Sequence, residues 1–279
     1  MDLYNQIEAS GALFNVRKEA LMTESGILIK DRVSIVNEAT NKSVGLVSPT
    51  YRVVTNGEVA EHMCEALNKS GIDLTDATAE VQSGYGGART MLNIRLPSID
   101  VNMGGDVTQL QISALNSYDG RWKYITKGGG IRLACMNGQI MGHIIGSYVE
   151  YHNKKLDVQA GAVHMIDMVN DFSKSEEWFM RMMNTKIDRE QLLRSIAIFV
   201  EGTSKIDDRE AFLKKPTVNK LVDLYDTYSL EMGKTAYALY NALTDFVSHK
   251  KRNEKTKAVS LFNEQERLRT AITKVKVFA

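Results

Sequence analysis

The sequence predicts an α+β fold: an antiparallel β meander feeding a long helix, followed by an all-helical C-terminal region. Three observations carry that reading. Residues 26–54 alternate apolar and polar side chains, residues 76–129 hold two further hairpins, and helical periodicity takes over beyond Leu156 almost to the end. Only Pro49, Pro97 and Pro216 interrupt the 279 residues, which favours long elements.

The first extended stretch breaks at "NEATNKS", the pattern of a hairpin followed by another extended piece. "TNGEVAEHMCEALNKSG" then reads as a helix capped by Thr55 or Asn56, with Val59, Met63 and Leu67 on one face and Gly71 at its end. Two strands joined by "SGYGG" follow, and two more joined by "NSYDG", where Asn, Asp and Gly supply turn conformations that branched residues resist. From Asn137 the spacing of Ile140, Met141, Ile144, Ile145, Tyr148 and Val149 predicts a helix. Gly142, Gly146 and Ser147 leave it a thin face for close packing. "SEEWFMRMMNTKI", "DREQLLRSIAIFV", "PTVNKLVDLYDTY", "KTAYALYNALTDFVSHKKR" and "SLFNEQERLRTAITKVKVF" read as later helices. The expected division is an α+β core domain over 1–155 and a helical region over 156–279.

Hydrophobic residues at 43% and charged residues at 25% are those of a globular chain. No basic leader precedes an apolar run, and no segment approaches the roughly 20 apolar residues of a membrane span, so a cytoplasmic location without membrane contact is expected. Cys64 and Cys135 form no CxxC and are expected as buried free thiols. The formal charge of +1 conceals segregation. Between Gly120 and Lys155 six cations (Arg121, Lys123, Lys127, Arg132, Lys154, Lys155) face a single acid, Glu150. A second basic stretch runs from Lys250 to the end and begins with Lys250, Lys251 and Arg252. Such stretches on an otherwise acidic chain are candidate anion-binding faces.

Several chemistries lack their residues. "SGYGGAR" has Arg89 where a dinucleotide loop needs its third glycine, and "MGKT" at 232–235 has Tyr228 where a P-loop needs its first. The five histidines show no metal-ligand spacing, no GxSxG elbow occurs, and the paired aspartates lack a basic or metal partner. No cofactor, no metal and no enzymatic activity are expected. "RWKYITKGGGIR" remains. On a strand Arg121, Lys123 and Ile125 would point one way and Trp122, Tyr124 and Thr126 the other, offering either cations beside base-stacking aromatics or a buried aromatic row with wet cations.

Three blocks, "YRVVTNGEVAEHM", "LNSYDGRWKYITKGGGIRLACMNGQI" and "TAYALYNALTDFVSHKKR", resemble the signature blocks of the phage/plasmid-like family catalogued as domain of unknown function 932, over roughly residues 40–250. Asn116, Ser117, Asp119, Gly120, Arg132, Cys135 and Asn137 match the family pattern; Tyr118 stands where His is common and Gly138 where Thr is common. The resemblance implies residence on phages or plasmids in a bacterial host and carries no activity with it. The element order is also similar to that of phage single-strand annealing proteins of the RecT and lambda Beta type, which bind DNA between a hairpin and a helix and assemble into rings or filaments.

The leading expectation is therefore a mobile-element protein that binds single-stranded DNA and promotes annealing and homologous recombination without ATP, as a homo-oligomer. Arg121, Lys123, Lys127 and Arg132 are expected on phosphates and Trp122 or Tyr124 on bases. Arg89, Lys154, Lys155, Lys250, Lys251 and Arg252 are further candidates. The alternatives are a self-assembling, protein-binding accessory or anti-defence factor, and an enzyme using Asp119 with Arg132.

Overall fold

The computed structural model describes residues 2–103, 105–132, 143–249, 253–275 and 278. A short helix, α1 (Leu3–Glu8), precedes a three-stranded antiparallel sheet of β1 (Val16–Met22), β2 (Leu28–Asn37) and β3 (Lys42–Val47), in that order. The turn at "NEATNKS" closes through Asn37, whose Oδ1 accepts from the amides of Ala39 at 2.9 Å and Thr40 at 3.1 Å. Asn41 adopts a φ of +55°, which short polar side chains tolerate. Helix α2 (Asn56–Lys69) starts where Thr55 Oγ1 accepts from the Glu58 amide at 3.0 Å. It buries Val59, Met63 and Leu67, and Gly71 follows it at a φ of +75°.

The second sheet is a five-stranded antiparallel meander of β4 (Thr78–Gly84), β5 (Arg89–Met103), β6 (Asp106–Ser117), β7 (Tyr124–Arg132) and β8 (His143–Glu150). The last strand corrects the sequence reading, which placed residues 143–150 in a long helix; the segment 133–142, with Cys135 and Asn137, lies outside the described residues. Apolar pairs at 144–145 and 148–149 fit either period, and β-branched residues beside Gly146 favour extended backbone. The glycines do serve close packing, with a helix laid on strands. Gly128 and Gly146 lie opposite each other in the β7–β8 register. A Cβ on them would come within 2.9 and 3.2 Å of the Met168 side chain.

Helices α3 (Val158–Asp171), α4 (Ser175–Asn184), α5 (Arg189–Glu201), α6 (Arg209–Leu213), α7 (Pro216–Met232), α8 (Ala236–Ser248) and α9 (Lys257–Lys274) complete the chain. Asp157, Asp188 and Thr235 cap α3, α5 and α8, and Pro216 opens α7. Helix α8 is buried nearly all round, with Tyr237 and Tyr240 packed against Phe179 at ring distances of 6.0 and 5.8 Å. One continuous apolar core takes in residues of both the meander and the C-terminal helices. Most apolar residues of those helices are taken up there, although Val163, Met180 and Leu230 are exposed.

The two faces of the meander differ. Leu92, Ile94, Leu110 and Ile112 share one face, on which Tyr124 and Thr126 reach α3: the Tyr124 hydroxyl donates to Val158 O at 3.4 Å and the Thr126 hydroxyl to Gly161 O at 3.0 Å. The other face presents Asn93, Gln111, Ser113 and Lys127. There α9 lies across it, and Lys127 Nζ donates to Gln265 Oε1 at 2.7 Å.

Candidate nucleic-acid interface

The turn between β6 and β7 is fixed by its own side chains. Ser117 Oγ accepts from the Trp122 amide at 3.2 Å and donates to the Trp122 carbonyl at 3.0 Å. Asp119 Oδ1 accepts from the Arg121 amide at 3.0 Å, and Gly120 supplies a φ of +69°. Beneath the turn, Asn116 Nδ2 donates to Val54 O and to Asn56 Oδ1, each at 2.9 Å, while the Asn56 amide donates to the Tyr118 hydroxyl at 3.0 Å. Each of these groups is buried, so the network holds the turn rigidly.

The three-stranded sheet docks on this turn through Gly45. A Cβ there would sit 2.1 Å from the Tyr118 carbonyl oxygen, so only glycine allows the approach. Between β2–β3 and the turn runs a groove of about 630 Å³ whose walls include Arg32, Ser48, Tyr51, Arg121, Lys123 and Tyr151. The Tyr51 hydroxyl donates to Ser117 O at 2.6 Å, and its ring stacks on His152 at 4.7 Å with 14° between the planes. A second groove of about 480 Å³ continues along β7, β8 and α9, sharing Arg121, Trp122 and Lys123 with the first.

The electrostatics of the first groove are one-sided. Its single carboxylate, Asp119, is matched by Arg89, with Nε to Oδ2 at 2.8 Å. Among the described residues, Arg32, Arg121 and Lys123 form no ion pair, whereas Arg17, Arg194 and Arg269 each lie on a glutamate. Lys123 Nζ lies 4.0 Å from the ring centre of Tyr151, which is 62% exposed. A similar pair stands beyond Asp119, where Arg89 lies 4.7 Å from the ring centre of exposed Tyr85, itself held at a φ of +55°.

This arrangement gathers some of the expected residues and separates others. Arg121 and Lys123 line the groove together, and Arg89 braces it. Trp122 is 7% exposed and packs on Phe262 of α9 at 5.1 Å; Tyr124 is fully buried against α3. The two rings therefore point to different neighbours, and as placed neither offers a face to a base. Lys127 is 2% exposed and sealed under α9, so its expected phosphate contact is corrected to a structural one. Arg132 ends β7 opposite Thr108, about 26 Å from Tyr124 at about 3.3 Å per residue, so it and Asp119 sit at opposite ends of the strand. Lys154 and Lys155 are exposed in the loop just after His152. Lys250, Lys251 and Arg252 lie outside the described residues. Arg32, Tyr51, Tyr151 and His152 were not among the expected site residues: Tyr151 and His152 lie inside the basic stretch 120–155 but carry no permanent charge, and Arg32 and Tyr51 lie far from it in the chain.

The matching family model is described as Domain of unknown function (DUF932) and spans residues 43–272. The chain belongs to this family. No curated protein and no solved structure matches it. The matched span begins at β3 and runs into α9, so it contains the turn, Tyr51, Tyr151, His152 and both grooves except Arg32 of β2. Asn116, Ser117, Asp119 and Gly120, which build the turn, lie inside the matched span. Tyr118 uses its hydroxyl to anchor α2 and packs on Phe14 at 5.6 Å. No described helix is long and apolar enough to cross a membrane.

Two buried basic groups that line the grooves have displaced protonation equilibria. Burial pushes His152 down to about 4, and burial also pushes Lys127 down to about 8 against the opposing pull of Glu266. For Lys127 the folded value lies below the unfolded one, near 10.5. Between those limits the unfolded chain holds a proton that the native state lacks, so native stability rises as pH rises from about 8 to 10.5. The penalty below pH 8 is about 3 kcal/mol. We expect Lys127→Met to be at least as stable as the parent at pH 7 and to lack this rise, which urea denaturation at pH 7 and pH 9.5 measures.

Proposed function

We propose that the chain binds single-stranded DNA along the joined grooves, with phosphates on Arg32, Arg121 and Lys123 and a base stacked on Tyr151. The observation that carries this reading is the exposed Tyr151 ring beneath Lys123, set among cations that pair with no carboxylate among the described residues. Flexible single strands present both a phosphate charge and a free base face at each step, and these are the two features that such a pairing receives. A duplex keeps its bases stacked and offers only the charge. Promotion of annealing on a mobile element, without ATP, is the activity that the binding would serve.

Replacing Tyr151 by Ala is expected to weaken binding of a labelled single-stranded oligonucleotide by about tenfold, since base–aromatic stacking contributes roughly 1–3 kcal/mol. Duplex binding should change little, because the cations remain. Fluorescence anisotropy with both forms reads the difference; equal effects on both, or none, would remove the stacking role.

A second reading, self-assembly, is favoured by one feature. The β1–β2 hairpin tip exposes Met22, Ile27 and Leu28, at 63%, 66% and 48%. Apolar tips of this kind are contact surfaces. A chain that sediments as a large particle and binds no oligonucleotide would support this reading over the first.

A further inference from the structure

Tyr85 holds a backbone conformation that its side chain opposes, and burial does not compensate for the strain. The β4–β5 loop takes positive φ in succession, +55° at Tyr85, +68° at Gly86 and +92° at Gly87. Glycine suits all of these positions; a bulky aromatic does not. The Tyr85 ring is nevertheless 52% exposed. Among the described residues its hydroxyl makes no hydrogen bond, and the cation against the ring is Arg89, whose Cζ lies 4.7 Å from the ring centre. Strained residues that the core does not need cluster where ligands bind.

The order of strands sets this ring in line with the first groove. Arg89 opens β5 opposite Ser117, the β6–β7 turn follows, and Tyr124 of β7 pairs with Glu150 of β8, so Tyr85, Asp119, Lys123 and Tyr151 all stand at one end of the meander. Tyr85 and Tyr151 flank the turn on opposite sides. Arg89 joins the loop to the groove: its Nε donates to Asp119 Oδ2 at 2.8 Å, and Asp119 lines the groove. The Tyr85 ring centre is therefore within about 9 Å of that carboxylate oxygen. The spacings from β5 to β8 add up to about 14 Å. At about 3.4 Å per nucleotide, a single strand covers that distance in roughly four.

Resting on the single-strand reading above, we infer that Tyr85 is a second stacking platform for the same strand, which leaves the groove across the Asp119–Arg89 pair and lays a further base on the Tyr85 ring. Arg89 occupies one face of the ring and the base takes the other. The carboxylate of Asp119 does not bar the way, because Arg89 neutralises it.

The test is Tyr85→Gly, with Tyr85→Phe beside it. Glycine relieves the positive φ, so the variant should melt at or above the parent's midpoint, and a loss of binding cannot then come from unfolding. Anisotropy titration with a single strand of about 12 nucleotides, long enough to reach both rings, should show Tyr85→Gly weakened about tenfold and Tyr85→Phe equal to the parent. Duplex binding should change little. The slope of log K against log salt should stay the same, since a base contact is lost and no cation. As a measurement on the unaltered protein, ultraviolet crosslinking to a single strand carrying 5-iodouracil, mapped by peptide mass spectrometry, should label Tyr85 as well as Tyr151. Unchanged affinity in Tyr85→Gly, an equal loss in Tyr85→Phe, a flattened salt slope, or labelling of Tyr151 without Tyr85 overturns the inference and leaves single-strand binding standing. Absence of binding by the parent overturns both.

Discussion

Gly45→Ala is expected to lower the thermal midpoint by about 6–12 °C and to weaken oligonucleotide binding at the same time. The added methyl would lie 2.1 Å from the Tyr118 carbonyl oxygen and 2.8 Å from the Asp119 Cα. Both are backbone atoms, so no rotamer change relieves the clash, and the cost belongs at or above the top of the usual overpacking range, about 3 kcal/mol. For a chain of this size each kcal/mol moves the midpoint by about 2–4 °C. The strain must separate β3 from the turn that carries Arg121. Loss of binding beyond what unfolding explains, measured well below the midpoint, therefore tests whether that contact shapes the groove. Gly57→Ala is the control, since its Cβ would meet only Thr55 Oγ1 at 3.7 Å in the first turn of α2. There alanine should leave stability unchanged or raise it by about 0.5–1 kcal/mol. A Gly45→Ala variant as stable as the Gly57→Ala one would contradict the close docking of the two sheets.

The second large effect is expected from removing the three unpaired cations together. Single-strand binding releases about 0.7 counterion per phosphate contact, so three contacts give a slope near −2 in log K against log salt. Affinity should then fall about 20-fold between 50 and 200 mM salt. Arg32→Ala/Arg121→Ala/Lys123→Ala should flatten the slope by about 2 and weaken low-salt binding by roughly a hundredfold, while leaving the midpoint within about 2 °C. Arg32 and Arg121 are exposed, Lys123 is half-buried, and none of the three forms an ion pair among the described residues, so little stability depends on them. Lys127→Met, by contrast, should retain binding. Those two outcomes separate cations that face solvent from one sealed beneath a helix.

The sequence made much of the scaffold legible and only part of the site. Thr55, the Asn37 turn, "SGYGG" and "NSYDG" are local signals, and local signals fix caps and hairpins whatever surrounds them. Strand β1 was not legible, because its residues are largely exposed and carry little alternation. Strand β8 was misread because its short apolar run fits two periods, and its Gly146 packs against Met168 of α3, 22 residues further along the chain. The basic run at 121–132 was visible, but its fate was not. Whether a lysine faces solvent or Gln265 depends on a helix more than 130 residues further on. Arg32, Tyr51, Tyr151 and His152 become a site only when two sheets meet at Gly45, and no spacing along the chain records that meeting. Membership of a family without an assigned activity adds no chemistry to those residues, so the functional reading rests on their geometry.

The most direct test of the central claim is anisotropy titration of a labelled single-stranded oligonucleotide with nucleic-acid-free protein, at 50 and 200 mM salt, for the parent and for the triple cation variant. Binding by the parent that falls about 20-fold across that range and is largely lost in the variant is the expected result. Undetectable binding, or binding that ignores both salt and the three substitutions, would contradict it.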